Sequence, residues 1–450
     1  MNFSKWFFRI LIFGEVILLL AVLWFLYGQR QFDSLFGGNQ ADSPGESIVE
    51  RIINQPKHGE LVSASNPEYF DLANTKAQIA QTRQTIEPVY QVSKQEIVFS
   101  SLGKSDREIE LNARVYFPDN IEVAKKLPVV VFASGTTGIS DICANSLEQP
   151  NLEPTAVNNW GNYQSHMIGY ASQGYIMVIP DYEGMRDAED IHHYMVGELE
   201  GRVMLDALKA SWEMTSIKPN VDQDMIFMAG YSQGGQAVYW ADKISQDYAS
   251  LEVDGVIGFG PVSSVTDTIL DIAKNANINW FTPFVLYSYR DYYKQSFDIE
   301  RILLPNYIAS LDQDIESTCI SSALGKWPWN GGYYNQTVEN NRSQLYTTEF
   351  LDAITSGNLS GYEELFAKTD ANQVGKDKTN SYKLINQGEQ DNVILPSQSD
   401  KFFERLCDAG NNVTYDKYPT THYGIMATSF ADTIAWMQKV SKGTVTSQCR

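Results

Sequence analysis

Met225-Ile226-Phe227-Met228-Ala229-Gly230-Tyr231-Ser232-Gln233-Gly234-Gly235-Gln236-Ala237 is the stretch whose reading decides the fold. It begins with a short apolar run of the kind that forms a buried strand. A Gly-x-Ser-x-Gly turn follows, and then a helical pattern through Tyr239, Trp240 and Ile244. A serine placed between strand and helix sits on a tight bend, where a side chain at Gly230 or Gly234 would collide with backbone passing close by. The bend lifts the Ser232 hydroxyl off the sheet and sets the positive end of the new helix behind any anion formed there. The stretch therefore predicts a nucleophile on a strand–turn–helix corner.

Strands and helical patterns alternate on both sides of this corner. Upstream, residues 97–100 and 109–117 read as a hairpin around Gly103-Lys104-Ser105-Asp106. Leu127-Pro128-Val129-Val130-Val131-Phe132 is a continuous run suited to a strand buried on both faces, and it ends at Ala133-Ser134-Gly135-Thr136-Thr137-Gly138. A helical region ending at Gly174, a strand over 175–180 and a helix over 196–214, with Val203, Leu205, Leu208 and Trp212 near helical spacing, lead to the corner. Val256-Ile257-Gly258-Phe259-Gly260 follows it. Such alternation means an α/β fold, a mostly parallel sheet with helices on both faces, and the hairpin adds an antiparallel edge.

From about residue 263 to 378 the alternation stops. This part is rich in aromatics, among them Trp280, Phe281, Phe284, Tyr287 and Tyr289, and its helical patterns, such as 297–315, have no strands between them. It reads as an inserted helical cap over 263–378. Residues 382–386 resume the sheet, 398–409 form a helix, and 413–418 the last strand. The core thus comprises 91–262 and 379–450.

The 450 residues are 43% hydrophobic, enough for a large core, and carry a net charge of -21 from 34 basic and 55 acidic residues. A polyanion would be repelled, so no nucleic-acid partner is expected. Lys5 and Arg9 precede a run of roughly 18 mostly apolar residues over 10–27, near the length that spans a bilayer, interrupted by Glu15. No small-x-small cleavage pattern follows. Residues 1–30 therefore read as a signal anchor, giving a membrane partner and a catalytic part outside the cytoplasm, with secretion as the alternative. Residues 31–90 read as a tether and leading segment, polar at first and carrying Gly37-Gly38 and Ser43-Pro44-Gly45. The four cysteines, at 143, 319, 407 and 449, allow three pairings.

A serine nucleophile needs a base, and the chain has histidines at 58, 166, 192, 193 and 422. His422 lies in a loop after the last strand, where its imidazole can take the hydroxyl proton and return it to the leaving group. An orienting carboxylate should come from the turn after the preceding strand. Gly388-Glu389-Gln390-Asp391-Asn392-Val393 supplies Asp391, with Glu389 as rival. The order Ser232, Asp391, His422 suits this fold. The amide of Gln233, just after the nucleophile, is one donor for the oxygen that becomes negative. His192 and His193 have no partners at metal-ligand spacing, so neither a metal site nor a cofactor is expected, and Asp181-Tyr182-Glu183 reads as structural or pocket-forming.

With these residues in view, the chain resembles the α/β-hydrolases, and within them the secretory lipase family of the fungal lipase A type and its bacterial relatives. The resemblance runs from about residue 97 to 438 and rests on blocks at 135–146, at 174–198, and at 388–391 through 406–410 to His422. Asn145 departs from the pattern, standing where the family usually has proline, and the anchor replaces a cleaved signal. The resemblance implies that Thr137, with Thr136 as neighbour, supplies the other half of the oxyanion hole. It also implies a disulfide between Cys143 and Cys319. The function implied is a serine ester hydrolase acting on small-molecule or lipid-type carboxylic esters through an acyl-enzyme. The alternatives are a peptidase of the same fold, weakened by the lack of a recognisable β-propeller region, and a non-catalytic binding protein.

Overall fold

The computed structural model describes residues 57–449 apart from 85, 123–124, 150–160, 188, 276–279, 295–296, 318 and 321–344. The anchor expected at 1–30 lies outside the described residues, as does most of the tether. Among the described residues no helix is long and apolar enough to cross a membrane. Residues 56–450 form one compact unit.

The first elements are β1 (Leu61–Ala64), β2 (Glu68–Phe70) and α1 (Leu72–Ala80), whose N-terminus is capped by Asp71 accepting from the Asn74 amide at 2.7 Å. Both strands pair antiparallel with β3 (Val92–Leu102). The sequence reads this stretch as a leading segment, yet it is woven into the sheet edge. Strands of 4 and 3 residues with mostly exposed side chains have no periodicity to betray them. β3 forms the expected hairpin with β4 (Glu108–Pro118), in register from Val92 opposite Pro118 to Leu102 opposite Glu108.

Next come β5 (Leu127–Ala133), α2 (Tyr163–Ala171), β6 (Ile176–Pro180), α3 (Gly197–Trp212), β7 (Val221–Tyr231), α4 (Gln233–Ile244) and β8 (Gly255–Phe259). Helices then replace the alternation: α5 (Val265–Asn275), α6 (Phe281–Tyr292), α7 (Pro305–Ile308), α8 (Leu311–Glu316), α9 (Thr348–Ser356) and α10 (Glu363–Ala371). The pattern over 297–315 is not one helix. A 3-10 turn over Ile299–Arg301 gives way to an extended stretch, and Leu303 bridges to Tyr346. Pro305, having no amide hydrogen to bond backwards, opens α7 as a new helix. The sheet resumes with β9 (Tyr382–Gly388), α11 (Pro396–Asp408) and β10 (Asn412–Tyr418), and the chain continues through α12 (Ile425–Thr428) and α13 (Phe430–Ser441).

The strand order is β1-β3-β4-β6-β5-β7-β8-β9-β10, with β2 beside β3. From β6 to β10 every pairing is parallel. Alternating side chains of a strand face opposite sides, and β5 shows how the core uses this. Val129 and Val131 pack with Met228, Val203, Leu208 and Val238, while Val130 and Phe132 pack with Phe227, Ile168, Phe430 and Trp436. A third apolar cluster lies among α5 to α10, where Phe281, Phe284, Tyr289 and Phe350 join Tyr194 and Leu199 from the approach to α3 and its first turn. Disulfides join Cys143 to Cys319 and Cys407 to Cys449.

Candidate active site

The corner after β7 lies between the two parallel neighbours β5 and β8. Ser232 occupies it with φ 54° and ψ -113°. A side-chain-bearing residue with positive φ costs on the order of 1–3 kcal/mol, which the surrounding structure must hold in place. Three backbone hydrogen bonds do so. The Ser232 amide donates to the Phe259 carbonyl at 3.0 Å, and its own carbonyl accepts from Gly235 and Val262, each at 3.0 Å. Glycine is needed on both sides: a Cβ on Gly230 would fall 2.0 Å from the Gly234 carbonyl oxygen, and one on Gly234 would fall 2.0 Å from that of Ala133. The first turn of α4 thus rests directly on the end of β5.

Asp391, in the turn after β9, and His422, after β10, are each 3% exposed. The Asp391 Oδ2 lies 2.7 Å from Nδ1 of His422. Its Oδ1 accepts from the amides of Val393 and Ile394, both at 2.9 Å, and Gln387 Nε2 donates to Oδ2 at 3.3 Å. Ionised carboxylates held by several donors are rigid, oriented acceptors. Glu389 is exposed and takes no part. The imidazole lies 4.9 Å, centroid to centroid, from the ring of Tyr231, the residue before the serine. It also packs on Gly260, where a Cβ would meet His422 Nδ1 at 3.0 Å and Asp391 Oδ2 at 3.1 Å. Of the other histidines, His58 bonds Asp206 at 2.7 Å and His166 is buried against Gln84.

The loop leaving β5 carries Thr136 and Thr137. Tyr163, at the start of α2, bonds the Gly135 amide through its hydroxyl at 2.9 Å. The Thr136 hydroxyl pairs with that of Tyr194 at 2.7 Å, whereas the Thr137 hydroxyl is buried with no hydrogen-bond partner among the described residues. The Thr137 carbonyl accepts from the Ile320 amide at 2.7 Å. Asn145 uses the amide that proline lacks: its Nδ2 donates to the Ser134 hydroxyl at 2.6 Å and to the Pro180 carbonyl at 3.3 Å, joining the ends of β5 and β6.

Gln233, the first residue of α4, is fully buried, and its side chain belongs to a network that sequence reasoning did not find. Gln233 Nε2 lies 2.9 Å from His192 Nε2 and donates to Glu200 Oε1 at 2.7 Å. Burial pushes the Glu200 carboxyl up to about 8, against the Gln233 and Met195 bonds that favour its charged form. Burial pushes His192 down to about 3. No motif spacing signals a glutamate and a glutamine 33 residues apart. Gln387, beside Asp391, likewise left no trace in the pattern.

The fold brings His193 partners that its spacing along the chain does not show. Its Nδ1 lies 3.0 Å from Glu183 and its Nε2 2.9 Å from Asp291 on α6. Ligand atoms of Glu183, Asp190 and His193 lie within 4.8 Å of one another, close enough to hold a cation. Lys104 pairs with Asp291 and Arg107 with Asp187 and Asp190, so these acids already have cations beside them. Burial alone would lower the His193 pKa, but Glu183, Asp291 and Asp190 outweigh it and raise it.

The parallel sheet, the strained serine between strand and helix, and the acid–histidine pair beyond the following strands define an α/β-hydrolase fold. Solved structures agree on the fold. The rice cell wall degrading esterase LipA of Xanthomonas oryzae superposes with a TM-score of 0.64 at 14% identity, over 86% of this chain and 97% of its own. Candida antarctica lipase A in its closed state does so with 0.61 at 17%, over 87% and 84%. The secretory lipase family model matches residues 164–448, and the chain belongs to that family. Among relatives, a secreted triacylglycerol lipase of Malassezia furfur is 26% identical over 205 residues, 43% of this chain and 50% of its own length. Lipase 9 of Candida albicans is 33% identical over 100 residues, 22% and 21% of the two chains. The chain thus spans half or less of the length of these relatives.

Proposed function

We propose that the protein is a serine ester hydrolase in which Ser232 attacks the carbonyl carbon of a carboxylic ester. His422 takes the serine proton and passes it to the leaving alcohol, and Asp391 holds the imidazole in the tautomer with its proton on Nδ1. Water, deprotonated by His422, then releases the acid from the acyl-enzyme. The backbone amides of Gln233 and Thr137 are the donors for the oxyanion, with Thr136 as a neighbour. The observation that carries this reading is the buried Asp391–His422 pair against Tyr231, the residue before a serine held at φ 54°.

In this reading residues 263–378 act as a cap whose aromatic cluster favours an apolar acyl part, and family membership supports a lipid ester as substrate. Two disulfides suit an oxidising compartment, and relatives described as secreted lipases support action outside the cytoplasm. The decisive experiment is Ser232→Ala. Hydrolysis of p-nitrophenyl esters should fall a thousandfold or more, and fluorophosphonate labelling should vanish, with the thermal transition unchanged. Cleavage of peptide amides in preference to esters would instead favour a peptidase, and substantial ester turnover by the variant would remove Ser232 from its role.

A further inference from the structure

The buried cluster behind the nucleophile is polar where an apolar filling would pack as well. Its hydrogen-bond directions follow from chemistry. The Glu183 carbonyl, 3.0 Å from His192 Nδ1, can only accept, so Nδ1 carries the proton. Burial keeps this imidazole neutral, which leaves Nε2 bare and able only to accept. The group facing it is therefore the amide NH2 of Gln233, and its second hydrogen goes to Glu200 Oε1, which also accepts from the Met195 amide at 3.1 Å. The Gln233 side chain is thus held by His192 and Glu200. Two buried oxygens, Oε2 of Glu200 and Oε1 of Gln233, have no hydrogen-bond partner among the described residues. Orphaned polar atoms are costly, and leucine or methionine would fill the space without them.

We propose that Glu200 is a positioning residue: with His192 it clamps the Gln233 side chain, and through it fixes the direction of the Gln233 backbone amide toward the oxygen that becomes negative in the reaction. This rests on the reading of Ser232 as the nucleophile. The Gln233 peptide follows directly on the strained Ser232, so a swing about that junction moves the amide, and small misplacements of a donor cost large factors in rate. The clamp also has a protonation state. Groups facing Glu200 are His192, Glu183, Tyr182 and Tyr194 from the segment before α3, Gln233 from α4, and Tyr289 from α6. None of them is a cation. As an uncharged acid Glu200 holds Gln233 at no electrostatic cost. Ionised, it would place a buried negative charge behind the hole and oppose the developing oxyanion.

The test is the pH dependence of turnover of p-nitrophenyl butyrate by full-length variants that retain the wild-type thermal transition. Gln233→Met and Glu200→Ala should each lower kcat about tenfold with KM within about twofold. Glu200→Gln keeps the acceptor and cannot ionise, so it should restore most of the kcat lost in Glu200→Ala. The wild type should lose kcat above about pH 8, and Glu200→Gln should not, a difference that a merely structural role would not produce. Wild-type kcat in Gln233→Met, or an unchanged alkaline decline in Glu200→Gln, overturns the proposal even if Glu200→Ala does not fold. Fluorophosphonate labelling of Ser232 in every variant separates this failure from the other: a Ser232→Ala protein that still turned over would overturn the underlying reading instead.

Discussion

The amide of Ile320 donates to the carbonyl of Thr137 at 2.7 Å, one residue beyond the disulfide between Cys319 and Cys143. The Ser140 hydroxyl adds a third tie, to the Glu316 carbonyl at 2.6 Å. The loop leaving β5 is therefore fastened to the chain that follows α8 across 176 residues of sequence. Replacing both cysteines by alanine should cost about 2–4 kcal/mol of stability. Because the loop carries Thr137, kcat should fall more than KM rises. Thermal unfolding and ester kinetics on the same preparation check both, and a variant that melts and turns over like the wild type would refute the link.

Asp391→Asn should lower kcat by roughly four orders of magnitude, because an amide can present its NH2 to His422 and select the wrong tautomer. Glu389 is exposed, and Glu389→Gln should stay within about twofold. Steady-state kinetics of the pair decide which acid orients the histidine.

His193 makes stability fall as the solution becomes alkaline. Its folded-state pKa is raised, so the folded protein binds a proton that the unfolded chain releases more readily. The contribution is complete below the unfolded value of about 6.5 and is lost as pH climbs through the raised one. Urea unfolding at several pH values should show the decline, and His193→Gln should flatten it. Since His193 bridges Glu183 to Asp291 on α6, the same variant should speed proteolysis within the cap.

Removal of residues 1–56 should leave the fold and the esterase activity intact, since every element described above lies beyond them. Removal of residues 1–90 strips β1, β2, α1 and the His58–Asp206 bond from the sheet and from α3. That shorter protein should unfold at a lower temperature and lose activity on storage. Differential scanning calorimetry of the two proteins is the measurement.

The sequence revealed most where one residue type has one job. The apolar run into Gly-x-Ser-x-Gly can hardly be anything but a strand turning into a helix, and Asp391 and His422 follow the last two strands, β9 and β10. Side-chain chemistry at a distance was hidden. Glu200 and His192 carry no mark of meeting Gln233, because tertiary hydrogen bonds obey no period along the chain. His193 looked isolated because spacing along the chain cannot show a partner on α6. The edge strands escaped notice for a different reason: their backbone pairing needs no hydrophobic pattern.

The bond from Cys407 to Cys449 has a consequence for solution behaviour. β10 is the last strand of the sheet, and its free side invites pairing with another chain. The stapled segment lies along that side: Gln448 donates to the Val413 carbonyl at 2.7 Å, its side chain accepts from the Tyr415 amide at 2.9 Å, and the Ser447 hydroxyl accepts from the Val413 amide at 3.1 Å. The disulfide thus holds covering chain against the edge strand, and its loss should favour self-association. In a Cys407→Ala/Cys449→Ala variant below its melting temperature, light scattering should rise while the activity of the remaining dispersed protein declines far less.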